Sequence, residues 1–200
     1  MTGDQATARA QIELLYAAYH QEIYAYLWRM LRDEELAADL TQETFVKAFR
    51  AFDTLTDPAR ARPWLYQIAG RTALDELRRR RVVRFVPWSG ESRGSGASAE
   101  EVALQRRLSG EMERALAAIP ERQRQALLLA EVHELTGLEL AEALGTSHVA
   151  ARALLTRARE SLRQALAIEH ARTAAADASA SGSELAPESP RQRRRNRSGD

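Results

Sequence analysis

Two hundred residues allow one ordinary domain or two small ones, which excludes a large enzyme fold. With no cysteine there is no disulfide framework, thiolate metal site or cysteine nucleophile, and the four histidines, His20, His133, His148 and His170, lack the paired spacing of metal ligands. The 29 basic and 28 acidic residues nearly cancel, so only local charge can select a polyanionic partner.

The N-terminal MTGDQATARAQIE carries acids and no apolar core, and ALLLA at 126–130 is too short to cross a bilayer, so a soluble, cytoplasmic protein is expected. From Ile12, apolar residues fall at Leu15, Tyr16, Tyr19, Ile23, Leu27 and Met30, the three-and-four spacing of a helix with one buried face. Asp33, Glu34 and Glu35 then mark a second helix start, followed by the stripe Leu36, Leu40, Phe45, Phe49 and Phe52. Pro58 and Pro63 break the pattern, and a third helix is predicted from Trp64 through the arginine run. Three helices over 10–86 make a first module.

The Gly- and Ser-rich stretch at 87–99 lacks a period and reads as a flexible linker between independently packed modules, with the linker region taken to 110. A second helical module is predicted over 111–168, opening with Met112, Leu116 and Ile119 before Pro120 and continuing with Leu128 and Val132. The remainder, 169–200, is Ala, Ser, Gly and acids ending in RQRRRNR, and reads as a disordered basic tail. The fold class is therefore all-α, with two small modules.

The sharpest local signal is LELAEALGTSHVAARALLTRARESL at 138–162, where Ala141, Gly145 and the surrounding leucines have helix-turn-helix spacing. Gly145 suits the left-handed turn and Thr146 or Ser147 the next N-cap, while Ala151, Leu154, Leu155, Ala158 and Leu162 face inward. The opposite face carries His148, Arg152, Thr156, Arg157 and Arg159, with Ser147 at its start, and suits a DNA major groove. An ordinary helical hairpin with a solvated basic face is the alternative. All bases but Lys47 are arginine, whose planar fork fits phosphate and guanine edges, although codon usage alone gives the same bias. In the third helix, Trp64 and Tyr66 stand beside Arg71, Arg78, Arg79, Arg80 and Arg81, aromatics next to a basic track as single-stranded DNA requires. Core aromatics and a solvated helix end explain that pattern equally well.

The ordered set DLTQETFVKAF, WLYQIAGRTALDELRRR, linker, AIPERQRQALLL, ELAEALG and LLTRARESL resembles bacterial RNA polymerase sigma factors of the extracytoplasmic-function type over residues 10–168. The resemblance implies that the first module is region 2 and the second region 4. It implies docking of Asp39, Gln42, Glu43 and Phe45 on the clamp coiled coil of the polymerase's largest subunit, and contact with the flap of the second-largest. It assigns Trp64, Tyr66, Arg71, Arg78 and Arg79 to a melted minus-ten element, and Ser147, His148, Arg152, Thr156, Arg157 and Arg159 to minus-thirty-five duplex. An anti-sigma factor is the further partner implied; no cofactor, metal or catalytic residue is expected. Arg71 stands where many members carry Asn, Leu154 where a base is common and Ala153 where a small polar residue is, so the promoter sequence does not follow from the resemblance. A stand-alone helix-turn-helix regulator and a sigma-like protein-binding adaptor are the competing readings. An enzyme is the most remote, since no carboxylate pair, Ser/His arrangement or phosphate loop occurs.

Overall fold

The computed structural model of the protein describes residues 3–83 and 110–183. Among these residues there are seven α-helices and no strand. The Gly/Ser linker at 87–99 and the RQRRRNR run lie outside the described residues.

Helix α1 (Gly3–Leu31) buries Ile12, Ile23, Leu27 and Met30 of the predicted stripe together with Tyr26, which the spacing did not mark, while Leu15 and Tyr19 are partly buried and Tyr16 is exposed. It ends where Arg32 takes a left-handed φ of 57°, turning the chain into Asp33. The Asp33 carboxylate accepts from Leu36 N at 3.0 Å and so caps α2 (Glu34–Arg50), satisfying an otherwise orphaned amide. Helix α2 packs Ala37, Leu40, Thr44, Phe45 and Ala48 inward. Phe49 was expected in the same stripe, but lies 42% exposed at the helix end.

Two 3-10 turns follow, Phe52–Thr54 and Pro58–Arg60, the second capped by Asp57 through Ala59 N at 2.9 Å. Helix α3 spans Ala61–Val83 and thus starts ahead of the predicted Trp64. Pro63 does not prevent this, because its missing N–H falls in the first turn, where amides have no intrahelical acceptor. Leu65, Tyr66, Ala69 and Ala73 face the bundle core.

The second module opens with α4 (Gly110–Ala118) and, after Pro120, α5 (Glu121–Leu127), which runs into a π-helical turn at Leu128–Val132. Thr136 and Glu139 form a reciprocal capping box at the start of α6 (Gly137–Ala143). The turn beyond α6 is as the sequence predicts. Gly145 has φ 61°, its N–H donates to Glu142 O, and Thr146 N–H donates to Ala141 O, both at 2.9 Å, which closes the α6 carbonyls. Ser147 Oγ then accepts from Ala150 N at 3.2 Å, capping α7 (His148–Ser183). Ala151 and Ala158 are fully buried, with Leu154, Leu155 and Leu162 packed beside them. The helix runs beyond the expected boundary at 168. Over its next turn Glu169 is paired with both Arg114 of α4 (2.7 Å) and Arg172 (3.0 Å), which anchors the extension on the module.

The modules do not pack independently, as the linker suggested, but share one continuous hydrophobic core. The Arg124 guanidinium donates to Met30 O at 2.9 Å in a buried position, capping a carbonyl at the end of α1. Gly70 permits a close approach. A Cβ at that position would lie 2.1 Å from Gln125 Nε2 and 3.1 Å from Tyr26 Oη, so α3 and α5 meet where one side chain is absent.

Candidate functional site

Three surfaces collect the residues singled out by the sequence. On the outer face of α2, Asp39, Gln42 and Glu43 are exposed while Phe45 is only 5% exposed. Phe45 meets the Tyr16 ring edge-on at 4.9 Å, and the two line a shallow groove of about 350 Å³ with Ile12, Gln42, Val46 and Phe49. Tyr16, Val46 and Phe49 extend this apolar surface beyond the predicted set, and each is more than 40% exposed. Lys47 donates to Thr72 Oγ1 at 3.0 Å and pairs with Glu43 at 2.8 Å, tying the acid's position to α3. An apolar groove rimmed by acids and an amide is the composition of a protein docking surface. The sequence held a signal for it: Val46 and Phe49 share a helix face with Gln42, at three- and four-residue steps.

Helix α3 presents a different picture. Trp64 is 7% exposed, and its indole N–H donates to Thr54 Oγ1 at 3.1 Å, fixing the preceding turn against the helix. Tyr66 is fully buried between the two modules. Its ring packs edge-on to Tyr26 at 5.4 Å, and the Arg62 guanidinium lies 5.7 Å from its centroid. The Tyr66 hydroxyl donates to Glu22 Oε2 at 3.2 Å, and its oxygen is 2.7 Å from His133 Nδ1 of the second module. With the hydroxyl proton committed to Glu22, His133 Nδ1 is the donor in that pair, and Nε2 is left as a buried acceptor with no partner among the described residues. Burial, reinforced by Arg29 and Arg62, holds the His133 pKa down at about 3, so the ring is neutral at physiological pH.

Further ties surround this contact. Arg62 donates to His133 O at 2.8 Å and pairs with Glu22 at 3.0 Å. Gln67 donates to Glu142 O at 3.0 Å, Arg60 pairs with Glu142 at 2.8 Å, and Arg32 donates to Glu113 O at 2.7 Å. Arg71 is exposed, with its guanidinium 3.4 Å from where a Cβ on Gly145 would stand. A cleft of about 650 Å³ separates the start of α3 from the helix-turn-helix, bounded by Arg60, Pro63 and Gln67 on one side and by Glu142, Gly145 and His148 on the other.

The arginine run at the end of α3 is partly neutralised. Arg78 pairs with Asp75 at 2.9 Å, Arg79 and Arg80 both hold Glu76, and Arg80 also reaches Asp33. Burial pushes the Glu76 carboxyl up, but hydrogen bonds from Arg79 and Arg80 outweigh it and keep it below the usual carboxylate range. Arg78 and Arg79 remain exposed, able to exchange these partners for phosphates.

On the third surface, Ser147, His148, Arg152, Thr156, Arg157 and Arg159 all lie exposed along the first turns of α7. Among the described residues Arg152 and Arg157 form no ion pair, whereas Arg159 is held by Glu131 at 2.6 Å. Thr156 donates its hydroxyl to Arg152 O at 3.0 Å, leaving its oxygen as an acceptor. The His148 ring lies over Gly137, where a Cβ would come within 2.7 Å of Nε2. Val149 is 77% exposed beside it, an apolar contributor absent from the sequence-based set.

The structure thus exposes the α7 set and Asp39, Gln42 and Glu43 of the α2 set, and buries Phe45 and the aromatic half of the α3 set. No helix among the described residues is long and apolar enough to cross a membrane, and no cluster of three metal-ligating side chains occurs among them.

Comparison with known proteins identifies the family. Residues 15–82 match sigma-70 region 2 and residues 109–162 match sigma-70 region 4. The RNA polymerase sigma factor YlaC of Bacillus subtilis is 33% identical over 159 residues, covering 78% of this chain and 92% of that protein. The extracytoplasmic-function sigma factor SigM of the same organism is 30% identical over 158 residues, covering 76% and 93%. The sigma factor RpoE of Bartonella quintana, solved in complex with the anti-sigma factor NepR, shares the fold with a TM-score of 0.61 at 20% identity, over 78% of this chain and 96% of that one. CnrH, solved in complex with the cytosolic domain of CnrY, gives a TM-score of 0.55 at 25% identity over 82% and 97%. With both regions matched in order and a third of residues shared with a relative over almost its whole length, the chain belongs to the extracytoplasmic-function family of bacterial RNA polymerase sigma factors.

Proposed function

We propose that this sigma factor docks on core polymerase through the outer face of α2, engages a melted minus-ten strand with α3 and the turns before it, and reads minus-thirty-five duplex with the start of α7. Factors of this family direct initiation without catalysing it, so the chemistry belongs to the polymerase. The observation that carries the reading is the exposed groove of Tyr16, Phe45, Val46 and Phe49 beside Asp39, Gln42 and Glu43. A small protein leaves such a surface uncovered only at a cost in solubility, and a stand-alone DNA-binding regulator has no use for it. Clamp and flap are the expected contacts of the first and second modules. An anti-sigma factor is the expected antagonist, a reading supported by RpoE of Bartonella quintana, which was solved with one.

On duplex DNA this reading gives Arg152 a base-edge contact and Arg157 a phosphate or base, and the exposure of both near the N-terminus of α7 supports it. The test is run-off transcription: purified protein is added to bacterial core polymerase and fragmented host DNA, and RNA 5′ ends are mapped against core alone. New starts preceded by two shared motifs support the reading. No new starts under conditions where core is active overturn it.

A further inference from the structure

We infer that Val149 sets the specificity of the recognition helix, its exposed isopropyl group packing on the 5-methyl of a thymine that lies next to a guanine held by Arg152. The inference rests on the proposed reading of minus-thirty-five duplex by the start of α7.

The placement comes from the helix itself. Val149, Arg152, Ala153 and Thr156 follow one another at one- to four-residue steps that keep them on one face, and all four are exposed. Ala151 and Ala158 are fully buried on the opposite side, where Leu154 and Leu155 pack beside them. The exposed face is therefore turned away from the module, and it begins in the first turn, the part of a recognition helix that reaches base edges.

Other candidates nearby are already engaged. Ser147 Oγ accepts from Ala150 N at 3.2 Å, and the His148 ring lies against α6, with Nε2 2.7 Å from a Cβ placed on Gly137. The Thr156 hydroxyl proton goes to Arg152 O at 3.0 Å, and Arg159 is held by Glu131 at 2.6 Å. What remains in the first turns is the Arg152 guanidinium, in no ion pair among the described residues, beside the 77% exposed side chain of Val149. Burial does not account for a valine there. A β-branched residue lowers helix propensity relative to alanine, and at that exposure little of its apolar surface leaves water.

The chemistry then selects the base. Valine offers no donor or acceptor, and the major-groove edges of guanine, adenine and cytosine present polar groups that an isopropyl group would strip of water without replacing their hydrogen bonds. Thymine alone adds a methyl, while the arginine fork matches O6 and N7 of guanine. Val149 and Arg152 stand about 4.5 Å apart along the helix axis, close to the rise of about 3.4 Å between base pairs, so the two contacts fall on neighbouring pairs.

The test uses holoenzyme, the full chain with bacterial core polymerase, on promoter duplexes found by run-off mapping. Each thymine of the minus-thirty-five element is replaced in turn by deoxyuridine, which removes the methyl and keeps every hydrogen-bonding group. The expected result is one thymine whose replacement weakens wild-type binding about fourfold, the worth of one buried methyl. With Val149→Ala that discrimination should fall below about 1.5-fold, while replacements at other thymines act as they do in wild type. On the duplex with uracil at that position wild type and Val149→Ala should bind alike, which reports that the variant is folded. The guanine whose preference Arg152→Ala relaxes should be the neighbour of that thymine. The inference is overturned if no thymine shows a methyl effect, if the effect survives Val149→Ala unchanged, or if the mapped element has no thymine beside a guanine. If wild-type holoenzyme yields no promoter at all, the sigma reading itself fails, a result distinct from a promoter without a methyl effect.

Discussion

Helices α2 and α3 belong to one bundle and both carry aromatics marked by the sequence, yet they meet solvent in opposite ways. On α2, Val46 and Phe49 are 48% and 42% exposed; on α3, Trp64 and Tyr66 are 7% and 0% exposed. Apolar side chains left in water mark a surface awaiting a partner, while aromatics expected to meet a ligand but found buried mark a surface that already has one. For α2 the proposed partner is outside the chain. For α3 it is the second module, reached across 67 residues of sequence between Tyr66 and His133.

The largest expected effect breaks the α2 side of this contrast. Val46→Asp with Phe49→Asp is expected to weaken core binding by about 100-fold, the loss typical of two truncated anchor residues, measured by competition against a labelled sigma factor. Thermal unfolding should shift little, because neither side chain belongs to the buried core.

Acidification sharpens the α3 side. The His133 ring is held at about 3 in the closed form and returns to about 6.5 once solvated, so protons bind the open form more readily. Closure therefore keeps its full advantage above pH 6.5 and loses about tenfold in closed-to-open ratio per unit below it. The other groups acting on the ring are Arg29 and Tyr26 of α1 with Arg62 and Tyr66 of α3, and Glu22 reaches it only through the Tyr66 hydroxyl. The thiol-labelling rate of Gln67→Cys between pH 7.5 and 5.5, divided by that of a free thiol at the same pH to remove the loss of thiolate, should rise accordingly, and with His133→Asn the ratio should stay flat.

A smaller effect is expected from Tyr66→Phe, which deletes the hydroxyl shared by Glu22 and His133 and should cost about 1–2 kcal/mol in urea unfolding. Arg157→Ala should weaken holoenzyme binding to promoter duplex by about 1 kcal/mol and reduce the salt slope by about one. Smallest of all, Arg9→Ala breaks an i,i+4 pair with both partners about two-thirds exposed and should leave stability unchanged within about 0.5 kcal/mol.

Much of this was legible in the chain. The three-and-four spacing located α1 and α2, and Gly145 with Ser147 located the turn of the helix-turn-helix, because caps and left-handed turns depend on residues next to one another. The exposed set on α7 followed from the same local geometry. Tyr66 was legible only as an aromatic beside arginines, since what packs against it includes a histidine 67 positions away. Phe49 continued the α2 stripe by spacing but falls where the helix ends and no neighbour covers it. Helix α7 outran its apolar pattern because AIEHARTAAA is rich in alanine, and helix propensity there acts without a buried stripe to reveal it.

The most direct test is the distance between the modules. Dyes on Asp75→Cys and Arg163→Cys, both exposed positions outside the junction, report it by energy transfer in a chain with no competing thiols. Alone, the protein should give one narrow population; with saturating core polymerase, a lower-transfer population should replace it. A broad distribution in the free protein, or transfer unchanged on full binding to polymerase, would contradict the account.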